Sequence, residues 1–362
     1  MSSDLDIRTV IGQATLVYER LSGLYTAQNL DPFRIERRIE TWQHALSTNS
    51  DIEWQSYLTR NGWGQMQLVT LCCDTICHVA RDELPAWAQV LMDVWDEVVT
   101  GEQLVRAQQY TPQASLHTLA VITPFVRWLC THLTVAHDDA HIERWVFPRL
   151  ASIADESVRA WAAQRAMRGP LPSRAVHTTP LLNDDIWRQF AAQHAWLMRM
   201  LATTVSALCA TVDTAVTYLG RDWLALRQHC DMQGATPQIT GFADAPPLYM
   251  QAGGIVIECG QRSVIFVPHP APQSDVLTFI TTWLNRRGAQ IPLHFPSRVV
   301  LNDAQWVAIP PVSAPTQHTM PQVAYALGCI AALCNICGIV QLTAESIRTT
   351  AQGIYVLDAS MF

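Results

Sequence analysis

Residues 254–268 read GIVIECGQRSVIFVP, two short β-branched runs that flank a turn at Gly260. Two such runs joined by a glycine-bearing turn are typical of a β-hairpin. The next segment, DVLTFITTWLNRRG (275–288), has apolar residues at helical spacing and ends in glycine, which predicts an amphipathic helix. SRVVLND and QWVAIPP then predict a second strand pair around Asn302. The predicted order is therefore a hairpin, a helix and a second strand pair.

The sequence before this segment has a helical pattern almost throughout. From residue 6 to about residue 231, apolar residues recur at spacings of three and four. Asp51 and Asn183 stand where N-cap residues are expected. Two stretches that contain Pro and Gly, 168–184 and 235–254, predict loops, and the second one ends the helical half.

An uncharged segment, VAYALGCIAALCNICGIVQL (323–342), follows a proline-rich connector and is long enough to span a bilayer. It contains Asn335 and Gln341 and lacks the flanking basic residues of a membrane helix. The prediction is therefore a buried helix that breaks at Gly338 and continues as a short extended run. GIYVLDA predicts a final strand.

The composition excludes some classes of protein. The chain has 362 residues, of which 15% are charged, and the net charge of −7 is spread along the sequence. No basic surface for nucleic acid is indicated. Two acids precede the first apolar run, which argues against a signal peptide. Ten cysteines lie mostly in apolar helical patterns, which favours core packing in a reducing cytoplasm, and Cys334 and Cys337 form a CxxC without a second pair.

Five successive segments carry a family resemblance: CGQRSVIFVPH, FITTWLNRRG, AQWVAIP, GCIAALCNICGIVQLTAESI and VLDASMF. They resemble, in order and spacing, motifs of the dehydratase domain of type 2 (class II) lanthipeptide synthetases. Enzymes of that family phosphorylate Ser and Thr of a precursor peptide and then eliminate the phosphate, using ATP and magnesium. The resemblance is specific in 253–362 and weaker in the helices before it.

The resemblance implies an α+β fold with a lipid-kinase-like core. A large all-helical region (1–234) would precede a kinase-like small lobe with β-hairpins and one helix (235–321). Residues 322–362 would begin a large lobe. The sequence stops at Phe362, so the rest of that lobe and the family's zinc-dependent cyclase domain are expected to be missing.

Most positions that carry the family's chemistry hold other residues here. The hairpin's Asp and His fall at Val256 and Glu258, and the lysine that holds nucleotide phosphates falls at Val267. The remaining replaced positions are Gln341, Thr343, Ser346 and Ser360. The resemblance implies that Asp358 and Glu345 are retained pocket residues, with Asp358 as a magnesium ligand. An aspartate that closes a strand is equally typical of a turn, so both interpretations stay open.

Phosphoryl transfer depends almost entirely on positioning and charge neutralisation. Losing one electrostatic stabiliser costs about 3–4 kcal/mol in the transition state. The sequence therefore predicts a non-catalytic relative, without a cofactor, that binds a precursor peptide or a synthetase partner. The alternative is the N-terminal subunit of a split Ser/Thr dehydratase that another chain completes. That alternative predicts an exposed apolar surface on 322–342.

A weaker alternative is an unrelated helical metal enzyme. His137 and His141 stand four apart on one helical face, the spacing of paired metal ligands, but the HExxH pattern and a third ligand are not indicated. A solvated helix start is the competing interpretation.

Two further motifs favour structural roles. Gly253-Gly254 has no following lysine or GxGxxG pattern, so turn chemistry explains it better than a phosphate cradle. Cys72-Cys73 beside His78 lies in a segment that reads as one apolar helix, which does not favour a reactive thiolate.

Overall fold

The protein is an α+β molecule with a mostly helical N-terminal region and largely antiparallel sheets. The structure, a computed structural model, describes residues 7–16, 19, 25–28, 32–45, 51–72, 75–78, 84–97, 99–134, 138–168, 184–246, 249–250, 253–269, 274–288, 292–294, 296, 298–310, 320–337, 339–340, 347–350, 353–357 and 360–361.

The described helices follow the apolar periodicity of the sequence. They are α1 (Ile7–Ala14), α2 (Pro32–Ala45), α3 (Asp51–Arg60), α4 (Gln65–Cys72), α5 (Ala86–Val94), α6 (Gly101–Tyr110), α7 (Leu116–His132), α8 (Asp139–Arg168), α9 (Asp184–Gln193), α10 (Ala195–His229), α11 (Ser274–Arg286) and α12 (Met320–Cys337).

The described strands form four sheets. They are β1 (Tyr25–Gln28), β2 (Thr75–His78), β3 (Ile239–Asp244), β4 (Ile255–Cys259), β5 (Arg262–Val267), β6 (Leu293–His294), β7 (Arg298–Leu301), β8 (Ala304–Ile309), β9 (Ile339–Val340), β10 (Ile347–Thr350), β11 (Gly353–Val356) and β12 (Ser360–Met361). The largest sheet is antiparallel in the order β3-β4-β5-β8-β7. The others are β10-β11-β6, in which β11 and β6 are parallel, and the pairs β1-β2 and β9-β12.

The chain divides into two compact units. Unit 1 contains residues 1–131 and 146–207, and unit 2 contains 132–145 and 208–362, so the division falls inside α8 and α10. The sequence predicts the first domain boundary after residue 234, beyond the end of α10. The predicted domains 1–234, 235–321 and 322–362 stay a prediction.

Unit 1 is built around apolar helices. The stretch 118–126 of α7 is buried at every position, which is typical of a helix at the centre of a core. Elsewhere in the unit, Trp42 packs against both Trp54 and Trp63. The helix α6 begins with a capping box between Thr100 and Gln103, which satisfies two backbone donors at its start.

Unit 2 contains the predicted hairpins. The strands β4 and β5 pair from Cys259↔Arg262 to Ile255↔Phe266 across a two-residue turn in which Gly260 has φ 61°. The strands β7 and β8 meet at Asn302 and Asp303, with φ 45° and 70°. Two positive φ values in a two-residue loop match the twist of an antiparallel pair. Both strand-pair predictions are confirmed.

The prediction of a helix at 275–288 is also confirmed, because α11 occupies Ser274–Arg286. The predicted buried helix near 323–337 exists as α12, and β9 continues it as a short extended run. The face of α12 is only partly covered, since Tyr325 and Leu327 are about half exposed. The predicted loop 168–184 and most of the connector 309–321 lie outside the described residues.

Several of the described strands were missed by the sequence patterns, among them β1, β2, β3, β6 and β10. The strands β1 and β2 pair inside the region predicted to be all-helical. In particular, the segment around Cys72 is not one helix, because α4 ends at that residue and β2 begins at Thr75. The strand β3 lies in the stretch 235–254 that was predicted as a loop, and it forms an edge of the main sheet.

One of the described helices, α10, is long and apolar enough to cross a membrane, with a mean hydropathy of 1.4 over its most apolar window. Half of that window is buried inside the protein. A buried core helix passes the same test, so this finding alone does not indicate a membrane protein.

Candidate functional site

The phosphate-binding position of the resemblance lies in the core of the main sheet. Val267 is fully buried at the end of β5, opposite Gln305 of β8. Val256 of β4 is 7% exposed and belongs to the same apolar cluster as Val267, together with Tyr249 and Val307. This face of the sheet is therefore packed with apolar side chains at the two positions where the family would place a lysine and an aspartate.

Glu258 is exposed on β4 and lies against the edge strand β3. Its backbone oxygen accepts a hydrogen bond from Thr240 Oγ1 at 3.3 Å, and its cross-strand partner is Gly241. A side chain at Gly241 would collide with the Glu258 carboxylate, so the glycine leaves room for it. Glu258 therefore covers the backbone of the neighbouring strand.

The glycines before β4 are required by close backbone packing. A Cβ atom at Gly254 would lie 2.7 Å from the Tyr249 oxygen and 3.0 Å from the Phe266 oxygen. Gly253 has φ 75°, which favours glycine. Carbonyl oxygens near Gly254 repel a phosphate rather than attract it, which supports the turn interpretation.

The segments that hold the other candidate positions are joined by strand pairing. Ser360 of β12 pairs with Val340 of β9 in the backbone. Glu345, Asp358, Gln341, Thr343 and Ser346 lie outside the described residues, so their roles stay predictions.

Asp138 and His141 lie at the start of α8. The Asp138 carboxylate accepts a hydrogen bond from Ala140 N at 2.9 Å, and its carbonyl accepts one from His141 N at 2.9 Å. Asp138 thus acts as a helix cap, as expected for a solvated helix start. His137 lies outside the described residues, and the described part of the chain contains no group of three or more possible metal ligands.

The described cysteines are suited to packing. Cys72, Cys230 and Cys259 are buried, and burial raises the pKa of Cys230 and of Cys259 to about 11. A thiol with such a pKa stays protonated at neutral pH and is a poor nucleophile. Cys72 also ends α4, where its carbonyl accepts a hydrogen bond from Arg38 Nη1 at 2.8 Å.

A buried carboxylate in unit 2 was not identified from the sequence. Asp222 of α10 is 4% exposed and accepts hydrogen bonds from Trp306 Nε1 at 3.0 Å and Asn302 Nδ2 at 3.1 Å. Its neighbour Arg221 donates two more, at 2.8 and 3.0 Å. Burial alone would raise the pKa of Asp222, but these hydrogen bonds outweigh it and hold the pKa below its ordinary value.

The hydrogen bonds of Asp222 join α10 to the main sheet. Next to Asp222, Tyr218 contacts Phe266 edge to face at 5.7 Å, and Phe266 packs against Trp306 at 5.1 Å. Every acceptor oxygen of Asp222 is used by the protein, so the cluster is organised for structure. A spacing signal in the sequence could not reveal it, because its members come from α10, the β7–β8 turn and β8.

A similar cluster lies in unit 1. Arg199 of α10 is 8% exposed and binds both oxygens of Glu19, at 2.5 and 2.7 Å, and the Ala14 carbonyl at 3.0 Å. Burial alone would raise the pKa of Glu19, but the Arg199 hydrogen bonds and the Leu16 amide bond lower it below its ordinary value. The guanidinium also stacks 4.5 Å from the Trp87 ring.

The surface of unit 2 contains an apolar groove of about 490 Å³ between two helices, which we name the α11–α12 groove. Its lining includes Phe279, Ile280, Trp283 and Leu284 of α11 and Cys329 and Leu333 of α12. Phe279 is 72% exposed and Trp283 is 47% exposed. Exposed aromatic side chains in a groove mark a surface suited to binding.

The basic residues of the chain are unusual. All 24 Lys and Arg positions are arginines, so the sequence contains no lysine. A lysine elsewhere in this chain therefore cannot replace the one that is missing at Val267.

Comparison with models of known families and with curated proteins found no match.

Proposed function

We propose that this protein is a non-catalytic, dehydratase-like protein of lanthipeptide biosynthesis that binds a precursor peptide or a synthetase partner. The proposed family assignment rests on the five sequence segments that resemble the dehydratase motifs. The kinase-like identity of the main sheet is part of the same proposal. The order of the described elements supports this proposal, because a hairpin (β4 and β5) is followed by α11 and then by a second strand pair (β7 and β8).

One observation supports the proposed loss of catalytic activity. The side chains at Val256 and Val267 pack into an apolar cluster where an active site would present an acid and a cation. A charged group cannot be placed there without a partner, because burying an unpaired charge is unfavourable by several kcal/mol. The absence of lysine from the whole chain supports the same conclusion.

The experiment combines binding and chemistry. The purified protein is incubated with Mg-ATP and a panel of lanthipeptide precursor peptides, and the peptides are analysed by mass spectrometry. We expect no added phosphate and no loss of water. Retention of at least one peptide on immobilised protein is expected, and it should be the same with Asp358→Ala. A panel in which no peptide is retained would contradict binding of a precursor peptide.

A second candidate is favoured by a specific observation. A split dehydratase subunit should expose apolar surface near 322–342, and Met320, Tyr325 and Leu327 of α12 are exposed. The same assay distinguishes the two candidates, because a split subunit gives modified peptide when its complementary chain is added. A lysine at the phosphate-binding position would have to come from the completing chain, since this chain contains none.

The remaining parts of the proposal follow from composition. We place the protein in the cytoplasm, with a peptide or protein partner, without a resident cofactor, without a nucleic acid partner and without a membrane span. The helical metal enzyme stays a weaker hypothesis, because Asp138 next to the histidine pair already caps α8.

A further inference from the structure

The α11–α12 groove has a fixed floor and an open apolar rim. Leu284 and Cys329 on its floor pack against a buried cluster that includes Ile330 and Ile354. The C-terminal end of α11 is held by Asn285, whose side chain exchanges two hydrogen bonds with the Leu293 backbone, at 2.5 and 2.8 Å. The groove is thus formed before a partner binds, which lowers the entropic cost of association.

The shape of the groove favours a peptide over a small molecule. Its volume of about 490 Å³ lies in the range of ligand pockets, which is roughly 300–1,000 Å³. A small-molecule site encloses most of its ligand, however, whereas the lining residues Phe279 and Trp283 are themselves exposed to solvent. A surface cleft between two helices is suited to the apolar face of a third helix.

The charged residues beside the α11–α12 groove favour an acidic partner. The helix α12 has no charged residue, and α11 has one acid, Asp275, in its first turn. Two bases, Arg286 and Arg287, lie at the other end of α11. The Arg287 guanidinium stacks on the exposed Trp283 ring at 4.4 Å, directly beside the groove. An acidic side chain of a partner can therefore meet a cation at this end.

We infer that the α11–α12 groove binds an acidic amphipathic helix of a partner protein. Apolar side chains of that helix, spaced three and four residues apart, fill the groove, and its carboxylates reach Arg287. This inference rests on the surface of unit 2 and is independent of the family proposed above.

The test uses a pair of fluorescein-labelled helical peptides. In both peptides, leucines are spaced alternately three and four residues apart. The remaining positions are glutamate in one peptide and lysine in the other. Fluorescence anisotropy with the full-length protein should show that the glutamate peptide binds about tenfold more tightly than the lysine peptide. Equal binding of the two peptides, or no binding of the glutamate peptide, would overturn the inference.

Matched variants assign the binding to the groove. Phe279→Ser should weaken binding of the glutamate peptide about tenfold or more. Leu224→Ser removes a similarly exposed apolar side chain of α10, and it should change the affinity less than about twofold. Thermal denaturation checks that both variants are folded, which is expected because both side chains face solvent. If the two variants bind alike, the groove is not the binding site.

The charge is tested separately. Arg287→Glu should weaken binding of the glutamate peptide roughly fivefold and improve binding of the lysine peptide. Arg227→Glu, an exposed reversal on α10, is the control with little effect. If both reversals act alike, the effect comes from net charge and the proposed partner chemistry is wrong.

Other occupants have their own readouts. Sedimentation velocity that shows a dimer disrupted by Phe279→Ser would assign the groove to a second copy of this chain. Co-sedimentation with anionic phospholipid vesicles that is lost in Phe279→Ser would assign it to a membrane surface. Either result would overturn the inference, and neither bears on catalysis at the sheet.

Discussion

At the scale of single residues, the best-supported roles are structural. The buried Asp222 and the partly buried Glu19 each accept hydrogen bonds from distant parts of the chain. Breaking such a cluster leaves buried donors without acceptors, which is costlier than the bond itself was favourable. These residues are therefore the places where a conservative change should have a large effect on folding.

The first prediction concerns Asp222. Replacement by Ala leaves Trp306 Nε1 and Asn302 Nδ2 without their acceptor, so the free energy of unfolding should fall by about 3 kcal/mol. Urea denaturation followed by circular dichroism measures it. Asp303→Asn is the control, because asparagine also tolerates the positive φ of that turn position. A loss below that of the control would show that the cluster contributes nothing to stability.

The second prediction is the pH dependence of the same group. The pKa of Asp222 is lowered in the folded state, so its contribution is present above the pKa of an unfolded aspartate, about 3.9. It is lost as the pH falls through the lower folded pKa. The free energy of unfolding should therefore fall more steeply below about pH 4 in the native protein than in Asp222→Asn. Parallel curves for the two proteins would contradict this.

At the scale of elements, the strand pairs joined by two-residue turns were predictable, whereas β1, β2 and β3 were not. The hairpin around Gly260 and the turn at Asn302 carry local signals, because positive φ limits which residues fit. The strand β3 contains glycine and aspartate, so its pattern resembles a loop, and its pairing with β4 decides its structure. The strands β1 and β2 pair over long sequence separation, which local periodicity cannot detect.

The third prediction compares two glycines. Gly254→Ala forces a methyl group against two backbone oxygens, so the free energy of unfolding should fall by about 1–3 kcal/mol. Gly220 lies on α10 with nothing near its Cβ position, and Gly220→Ala should stabilise by about 0.5–1 kcal/mol. Thermal and urea denaturation of both variants test the pair. Opposite signs support close packing at Gly254, and equal signs would refute it.

The fourth prediction concerns the position of the missing lysine. Val267→Lys places an unpaired charge in the core of the sheet, so stability should fall by about 3 kcal/mol or more. Val300→Lys on the edge strand β7 of the same sheet, where the side chain is 54% exposed, should change stability by less than about 0.5 kcal/mol. Urea denaturation compares the two variants. A stable Val267→Lys protein that gained ATP affinity would show that a usable cleft is present.

At the scale of the whole molecule, the sequence predicted the α+β class and the helical N-terminal region. The sequence did not predict that the two halves of α10 belong to different units. The second half lies beside Phe266 and Trp306 of the main sheet, through contacts between segments that are distant in the chain. The candidate site is a proposal that rests on the resemblance. The sequence could not predict that Val256 and Val267 are buried, because their burial depends on neighbours such as Tyr249 that come from outside the hairpin.

The most direct measurement is a thermal denaturation series of the full chain with increasing Mg-ATP, in parallel with Asp358→Ala. A protein whose phosphate-binding position is an apolar core residue should show the same melting temperature at every concentration. A rise of several degrees with Mg-ATP in the native protein, lost in Asp358→Ala, would show that the site still binds nucleotide and would contradict the proposed loss of chemistry.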